Sequence, residues 1–396
     1  MKPNLKFVCL SLSLCTAAML AHVGLAQDPS ANTITAPAIT YNVATVYVAY
    51  RPANSSTNAI KEYVADNLGK LTELPGSPYI GRVFNMAVNG TYLFGNKGPY
   101  IETYEIQSNG TLHWVAETKY VMSADSDCDE SADLFLDHTG ATLYNADDYV
   151  QGCANNGYQS FAVQKSSGKL TFLNSSNWTT DGAVFALSFT GNNQFAYTSN
   201  CYHFTPYLYA FRRNSNGTLT ALGNLDWYTQ PKPPSGDFYC LNHAAADPAD
   251  HVAIAVQPFS GYGDSDGPYQ LATFTANSSG YLNTSSTYAN MPKVAVGEVT
   301  ALSISPSGKL LAVGGYNGLQ VFHFNGASPV TPFTGLLTTA RIDQIFWDNN
   351  NHLYAISTSA NKLFVYGVTP NWHGVASGSP YTINSPWSVA VQPKPR

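Results

Sequence analysis

Residues 305–313 read Ser305-Pro-Ser-Gly-Lys-Leu-Leu-Ala-Val, a glycine-containing turn followed by a short β-rich run. The same signal returns at other points of the chain, as Gly90-Thr-Tyr-Leu-Phe, Gly140-Ala-Thr-Leu-Tyr, Asn193-Gln-Phe-Ala-Tyr, Asp250-His-Val-Ala-Ile and Asn351-His-Leu-Tyr-Ala. Counting the run near residue 46, the copies fall near 46, 92, 142, 194, 251, 310 and 352. A period of roughly 40–60 residues that accommodates four strands is typical of propeller blades. The sequence therefore predicts an all-β fold, a seven-bladed β-propeller with four antiparallel strands per blade.

The register of the repeat also predicts how the ring closes. Residues 387–392 match the inner strand of a blade, and no second strand follows them. Residues 45–50 match a second strand, and no inner strand precedes them. We expect these two segments to pair, because an open ring would expose two sheet faces and their edges to water. Residues 41–396 then form a single propeller domain, and residues 27–40 form a flexible lead-in.

Composition excludes several classes of protein. The 396 residues are 44% hydrophobic and 11% charged, about half the usual charged share. The net charge of −6 leaves no basic surface for phosphate backbones, so we expect no nucleic-acid partner. The chain contains 26 Tyr and 19 Phe, enough apolar surface to exclude disorder. We expect a monomer.

The first 26 residues have the pattern of a secretory signal peptide. Lys2 and Lys6 precede an apolar run over 7–25, and the small residues Gly24 and Ala26 suit the −3 and −1 positions of a cleavage site. An uncleaved anchor helix is the alternative, although Ser and Thr dilute the run. We predict a secreted or periplasmic protein with no membrane span after signal cleavage.

Four cysteines remain after cleavage, and an even number in an exported protein favours two disulfides. The repeat places all four in or beside loops on one face of the propeller. The sequential pairing, Cys128 to Cys153 and Cys201 to Cys240, joins neighbours, whereas the other two pairings must cross between blades. No Cys/His spacing suits zinc.

An acidic run, Asp125, Asp127 and Asp129, places carboxylates at alternating positions beside Cys128. Oxygen ligands in this pattern suit Ca²⁺ in exported proteins, and a solvated acidic loop is the alternative. No other cofactor is required by any motif in the chain.

The seven inner strands should begin around the mouth of a central channel. We place the starts, within a residue or two, at Arg82, Asp133, Phe185, His243, Glu298, Arg341 and Trp387. The two arginines could bind a carboxylate or a phosphate, while His243 or Glu298 could move a proton. The alternative is that these side chains satisfy each other and ordered water in a polar channel.

The blade pattern resembles the seven-bladed lactonase family, which includes 6-phosphogluconolactonase-type proteins and the fungal carboxy-muconate cyclases. The segments that carry the resemblance are 83–95, 134–143 and 302–314, together with the Gly-x-Leu turns. The resemblance implies a histidine before an Asp-Pro turn, and Asn242-His243-Ala-Ala-Ala-Asp247-Pro248 is the nearest match. The spacing puts Asn242 at the family position unless one residue is deleted. The family's glutamate position is occupied by Ala301, with Glu298 three residues earlier.

Two functions therefore remain open. The first is an exported hydrolase that opens a sugar or related lactone. In it Arg82, Arg341 and Asn242 bind an anionic or sugar-like ligand, His243 acts as general base and Glu298 orients the water. The second is a non-catalytic propeller that binds a glycan, a cell-envelope component or a protein partner through its looped face. Low charge and abundant Tyr and Asn suit such a surface.

Overall fold

The computed structural model describes residues 39–119, 131–147, 157–177, 186–202, 205–223, 228–229, 231–234, 238–260 and 265–394. In chain order these residues form β1 (Asn42–Tyr50), β2 (Ala59–Asp66), β3 (Leu71–Glu73), β4 (Tyr79–Ile80), β5 (Met86–Val88), β6 (Tyr92–Lys97), β7 (Tyr100–Ile106), β8 (Leu112–Lys119), β9 (Ser131–Leu136), β10 (Thr142–Asp147), β11 (Gly157–Val163), β12 (Leu170–Asn177), β13 (Ser188–Phe189), β14 (Phe195–Tyr202), β15 (Thr205–Arg213), β16 (Leu219–Gly223), β17 (Phe238–Ala246), β18 (His251–Phe259), β19 (Gln270–Ala276), β20 (Leu282–Asn283), β21 (Val299–Ile304), β22 (Leu310–Gly315), β23 (Gly318–Asn325), β24 (Ser328–Pro332), β25 (Gln344–Trp347), β26 (His352–Ser357), β27 (Lys362–Thr369), β28 (Trp372–Val375), β29 (Tyr381–Thr382) and β30 (Pro386–Pro393). No helix occurs among the described residues, so none of them forms an apolar helix that could cross a membrane.

The strands form seven antiparallel sheets in a ring, which confirms the predicted seven-bladed propeller. Blade 1 contains β30, β1, β2 and β3, with β4 paired to β2. Blades 2 to 6 follow in chain order as β5–β8, β9–β12, β13–β16, β17–β20 and β21–β24. Blade 7 contains β25–β28, with β29 paired to β27. The predicted signal peptide (1–26) and most of the predicted lead-in (27–40) lie outside the described residues.

The two ends of the propeller pair as the register predicts. Strand β1 runs antiparallel to β30, with Thr45 opposite Gln392 and Val48 opposite Val389. The inner strand of blade 1 therefore comes from the C-terminal end of the chain, and its other three main strands come from the N-terminal end. Closure covers the sheet faces that an open ring would expose.

The hydrophobic core is divided into seven clusters, one between each pair of neighbouring blades. Strand β22 shows why, because all six of its residues are buried. Successive side chains of a strand point to opposite faces. Thus Leu311 and Val313 pack against blade 5, while Leu310 and Ala312 pack against blade 7. Short continuous apolar runs in the sequence therefore indicate strands that are covered on both faces.

Tyrosines of the second strands connect neighbouring blades through the glycine turns of the repeat. In three pairs the phenol donates a 2.7 Å hydrogen bond to a glycine carbonyl of the next blade: Tyr47 to Gly110, Tyr144 to Gly217 and Tyr197 to Gly280. Gly110 has φ of 93°, which L side chains rarely adopt, and a Cβ there would lie 3.0 Å from the Thr45 hydroxyl. The glycine of this Gly-x-Leu turn is therefore needed for the close contact between neighbouring blades.

Candidate active site

A cavity of about 830 Å³ occupies the centre of the ring and is lined mainly by the inner strands. We call its polar end the channel mouth, defined by Asn85, Asp133, Asn242, His243, Glu298, Asp343 and Trp387. Further along the inner strands the lining becomes apolar, with Leu187, Leu302 and Phe346 among its members. A concave site with few polar groups at one end is the usual form of a small-molecule site.

The structure places His243 and Glu298 at the channel mouth, but it places both predicted arginines elsewhere. The inner strands of blades 2 and 7 begin at Met86 and Gln344, four and three residues after Arg82 and Arg341. Neither arginine lines the channel, and Arg82 instead lines a separate cavity of about 360 Å³. The turn signals locate a blade well, but the length of the loop before an inner strand varies from blade to blade. Phe185 lies outside the described residues.

β-Bulges shape the channel mouth, and the sequence offered no sign of them. In β17 the pairing with β18 skips His243, because Asn242 lies opposite Ala255 and Ala244 opposite Ile254. His243 adopts a positive φ of 50°, an uncommon conformation for a non-glycine residue. The extra residue lets Asn242 and His243 both face the channel, although adjacent side chains of a regular strand diverge. At His243, β17 therefore has one residue more than the β18 segment opposite it.

β-Bulges also occur in two other inner strands near the channel mouth. Thr300 is the skipped residue in β21, and Trp387 is the skipped residue in β30. Bulges re-aim side chains and occur often next to active sites. Here they bring Glu298, Thr300 and Ala301 together into the lining of the cavity.

Two groups at the channel mouth have pKa values that are strongly shifted, in opposite directions. Burial raises the pKa of Asp133 to about 7, against a smaller lowering by the 2.8 Å hydrogen bond that the Leu134 amide donates to its carboxylate. Burial lowers the pKa of His243 to about 4, and a hydrogen bond with the Val299 backbone opposes this effect. In both cases desolvation disfavours the charged form. Between about pH 4 and 7, the site therefore holds a neutral imidazole and a protonated carboxyl group.

Asn242 and Glu298 both act on Tyr269, Asn242 through a hydrogen bond and Glu298 through its charge. The Asn242 amide donates a 2.7 Å hydrogen bond to the Tyr269 hydroxyl. Burial, followed by the nearby Glu298 charge, raises the pKa of Tyr269 to about 12, so this phenol keeps its proton. Glu298 itself is exposed at the channel mouth. It can therefore contact a ligand without a large cost of desolvation.

Asp343 occupies the place at the mouth where Arg341 was expected. One of its oxygens accepts a 2.8 Å hydrogen bond from Arg341 Nε, and the other accepts a 2.7 Å bond from the Thr358 amide. The Arg341 guanidinium lies 4.2 Å from the centroid of the Tyr316 ring. Asp343 was missed because the register was set from Arg341, and its only sequence signal is a polar residue directly before an apolar strand.

The predicted cysteine pair Cys201–Cys240 forms a disulfide with a Cα–Cα distance of 5.1 Å. The two residues lie in strands rather than loops, Cys201 in β14 and Cys240 in β17. The bond consequently links blade 4 to blade 5, because these strands belong to different sheets. The predicted pair Cys128–Cys153 lies outside the described residues.

The predicted Ca²⁺ ligands Asp125, Asp127 and Asp129 also lie outside the described residues. Among those that are described, no group of three or more His, Cys, Asp or Glu side chains is arranged to hold a metal ion. The calcium site stays a prediction from the sequence.

No protein-family model and no curated protein sequence matches the chain. Solved structures do match it. The periplasmic gluconolactonase of Pseudomonas aeruginosa is similar over 88% of this chain and 99% of its own, with a TM-score of 0.65 and 15% identity. A putative 6-phosphogluconolactonase from Bacteroides fragilis is similar over 92% and 99%, with a TM-score of 0.59 and 13% identity. At such identities the likeness establishes a shared fold alone, the seven-bladed β-propeller.

Proposed function

We propose that the chain is an exported lactone hydrolase whose active site is the channel mouth. The observation that carries the proposal concerns Asp133 and His243, two titratable groups on inner strands of different blades. They line the same cavity, and their pKa values, about 7 and about 4, are displaced in opposite directions. Environments that separate the pKa values of two groups in this way are typical of acid–base catalysis. The lactonase names of structures with the same fold support the choice of reaction.

His243 acts as the general base. At pH values above its pKa the imidazole is neutral, and a neutral imidazole has one nitrogen that can accept a proton. As water attacks the lactone carbonyl carbon, His243 takes a proton from that water. Its contact with the Val299 backbone fixes the orientation of the ring.

Asp133 acts as the general acid. When the ring C–O bond breaks, the leaving oxygen takes the proton of the Asp133 carboxyl group, and the product is an open-chain hydroxy acid. Proton exchange between imidazolium, carboxylate and solvent then restores both groups. Glu298, at the exposed rim, orients the attacking water or a ligand hydroxyl. Asp133 thus takes a role that the sequence did not assign to it.

The assignment predicts a bell-shaped pH dependence. Activity requires neutral His243 and protonated Asp133, so the rate should rise through about pH 4 and fall above about pH 7. Initial rates are measured with a pH-stat on sugar lactones, with subtraction of uncatalysed hydrolysis. His243→Asn should lower kcat by about 10²–10⁴-fold, and Asp133→Asn, which has no proton to donate, should lower kcat and remove the alkaline limb. His323→Asn, outside the channel lining, is the matched control.

The outcomes separate the two functions. A rate that keeps rising through pH 7 in the purified protein would exclude Asp133 as the acid. If no lactone is turned over at any pH, the hydrolase proposal fails. The alternative, a non-catalytic propeller that binds a glycan, an envelope component or a protein, would then stand. Export rests on residues 1–26 and is tested by cell fractionation with peptide sequencing of the mature N-terminus.

A further inference from the structure

We propose that the channel takes an uncharged polyhydroxy lactone and discriminates against phosphorylated or carboxylated ones. This inference deepens the proposed function and rests on it. The first observation is the charge of the lining. It includes the carboxyl groups of Asp133, Asp137, Glu298 and Asp343, and none of the described residues that line it is a lysine or an arginine. A dianionic phosphate would find no cation within the cavity.

The cations nearest to these carboxylates are already engaged. Arg341 pairs with Asp343, with its guanidinium over the Tyr316 ring. Arg213 pairs with Asp137 through two nitrogens, at 2.8 and 2.5 Å. These pairs neutralise two of the four carboxyl groups. Glu298 has no ion-pair partner among the described residues, Asp133 is about half ionised at pH 7, and His243 is neutral there, so the net charge of the site is negative.

Arg82 and Arg51 do not line the channel, although the Arg51 guanidinium lies 5.6 Å from the centroid of the Trp387 ring. They line the smaller cavity of about 360 Å³, which shares no lining residue with the channel. Trp387 and Phe84 lie between the two cavities. Trp387 lines the channel, Phe84 lines the smaller cavity, and their rings contact edge to face at 5.9 Å.

Segments outside the described ranges supply no cation either. Between residues 39 and 394 those segments contain no lysine and no arginine, and their ionisable residues besides Cys, Tyr and His are all Asp or Glu. Whatever positions they take, they cannot contribute a guanidinium or an ammonium group to a ligand.

The polar groups that remain suit hydroxyl groups. Carboxylates and amide oxygens accept hydrogen bonds from O–H donors, and a sugar lactone carries several such donors. Asn242 and Asn85 can both donate and accept. An anionic substituent, by contrast, would be brought close to the unpaired charge of Glu298 beside the cavity, where like charges repel more strongly than in bulk water.

The experiment measures binding separately from turnover. Calorimetry at pH 7 compares δ-gluconolactam, a non-hydrolysable probe, with its 6-phosphate, and the pH-stat compares hydrolysis of the two corresponding lactones. We expect the uncharged probe to bind at least tenfold more tightly in 50 mM salt. The difference should shrink in 0.5 M salt, because screening weakens repulsion. Equal or tighter binding of the phosphate would overturn the inference.

Two variants sharpen the result. Asp343→Asn leaves Arg341 without its partner beside the channel mouth, and the amide oxygen can still accept from Thr358. It should raise affinity for the phosphorylated probe at least threefold relative to affinity for the uncharged probe. Arg82→Ala is the control and should change neither affinity; loss of phosphate binding in this variant would place the phosphate in the smaller cavity and refute the inference. Failure of hydrolysis with the binding preference retained would instead refute the proposed reaction alone.

Discussion

Replacing Asp133 with asparagine should stabilise the protein at neutral and alkaline pH. In the folded state the pKa of Asp133 is raised from 3.8 to about 7, so the folded protein retains a proton that the unfolded chain releases. Stability therefore falls as pH rises from about 4 to 7, and the full cost persists above 7. Asparagine has no such ionisation, and its side-chain oxygen can still accept the Leu134 amide.

The size of the effect follows from the shift. About three pKa units at about 1.4 kcal/mol each set an upper limit of about 4 kcal/mol. Because the side chain keeps some access to channel water, we expect about 1–3 kcal/mol at pH 8. In a domain of this size that corresponds to a rise in Tm of roughly 1–6 °C. The cost is consistent with a group retained for activity rather than stability.

Differential scanning calorimetry at pH 4.5 and pH 8 provides the assay, and a ¹³C titration of the Asp133 carboxyl reports its pKa directly. The Tm gain should be largest at pH 8 and shrink at pH 4.5. Glu298→Gln is the matched control, since Glu298 is exposed and should show no comparable gain. A gain that is equal at both pH values, or a loss at pH 8, would show that the fold does not raise the pKa of Asp133.

Three further predictions concern the framework of the site. Cys201→Ser should cost about 2–4 kcal/mol of stability, because the disulfide to Cys240 closes a loop with a sequence separation of 39; reduction of the wild type should cost at least as much, since it also opens the predicted Cys128–Cys153 bond. Tyr47→Phe leaves the Gly110 carbonyl without its phenol donor and should cost about 1–2 kcal/mol in urea unfolding, with no change in channel binding. His243→Asn should reduce the loss of stability between about pH 6.5 and 4, since the folded state resists protonation of this imidazole; an unchanged acid limb would contradict its lowered pKa.

The site was predictable only in part. Asn242, His243 and Glu298 do line the channel, and the sequence placed them there because an Asp-Pro turn and a polar residue before an apolar strand mark the ends of inner strands. Arg82 and Arg341 were predicted as the starts of inner strands because they are charged. The inner strands of these blades begin instead at Met86 and Gln344. Asp133 was placed at an inner strand but given no role, because nothing local to its sequence indicates that it is desolvated. The predictions for residues 1–26, for Cys128–Cys153 and for the acidic run remain untested.

Sequence alone determined the architecture of this protein. Seven copies of a turn and an apolar run specify seven blades, and the unmatched segments 45–50 and 387–392 specify how the ring closes, because these are local signals repeated along the chain. Tertiary structure alone decided the chemistry of the channel. The bulge at His243, the pairing of Arg341 with Asp343 and the raised pKa of Asp133 all depend on which residues of different blades meet across the ring. The burial and the electrostatic environment of a residue in the channel depend on atoms from several blades, and these blades are far apart in the sequence.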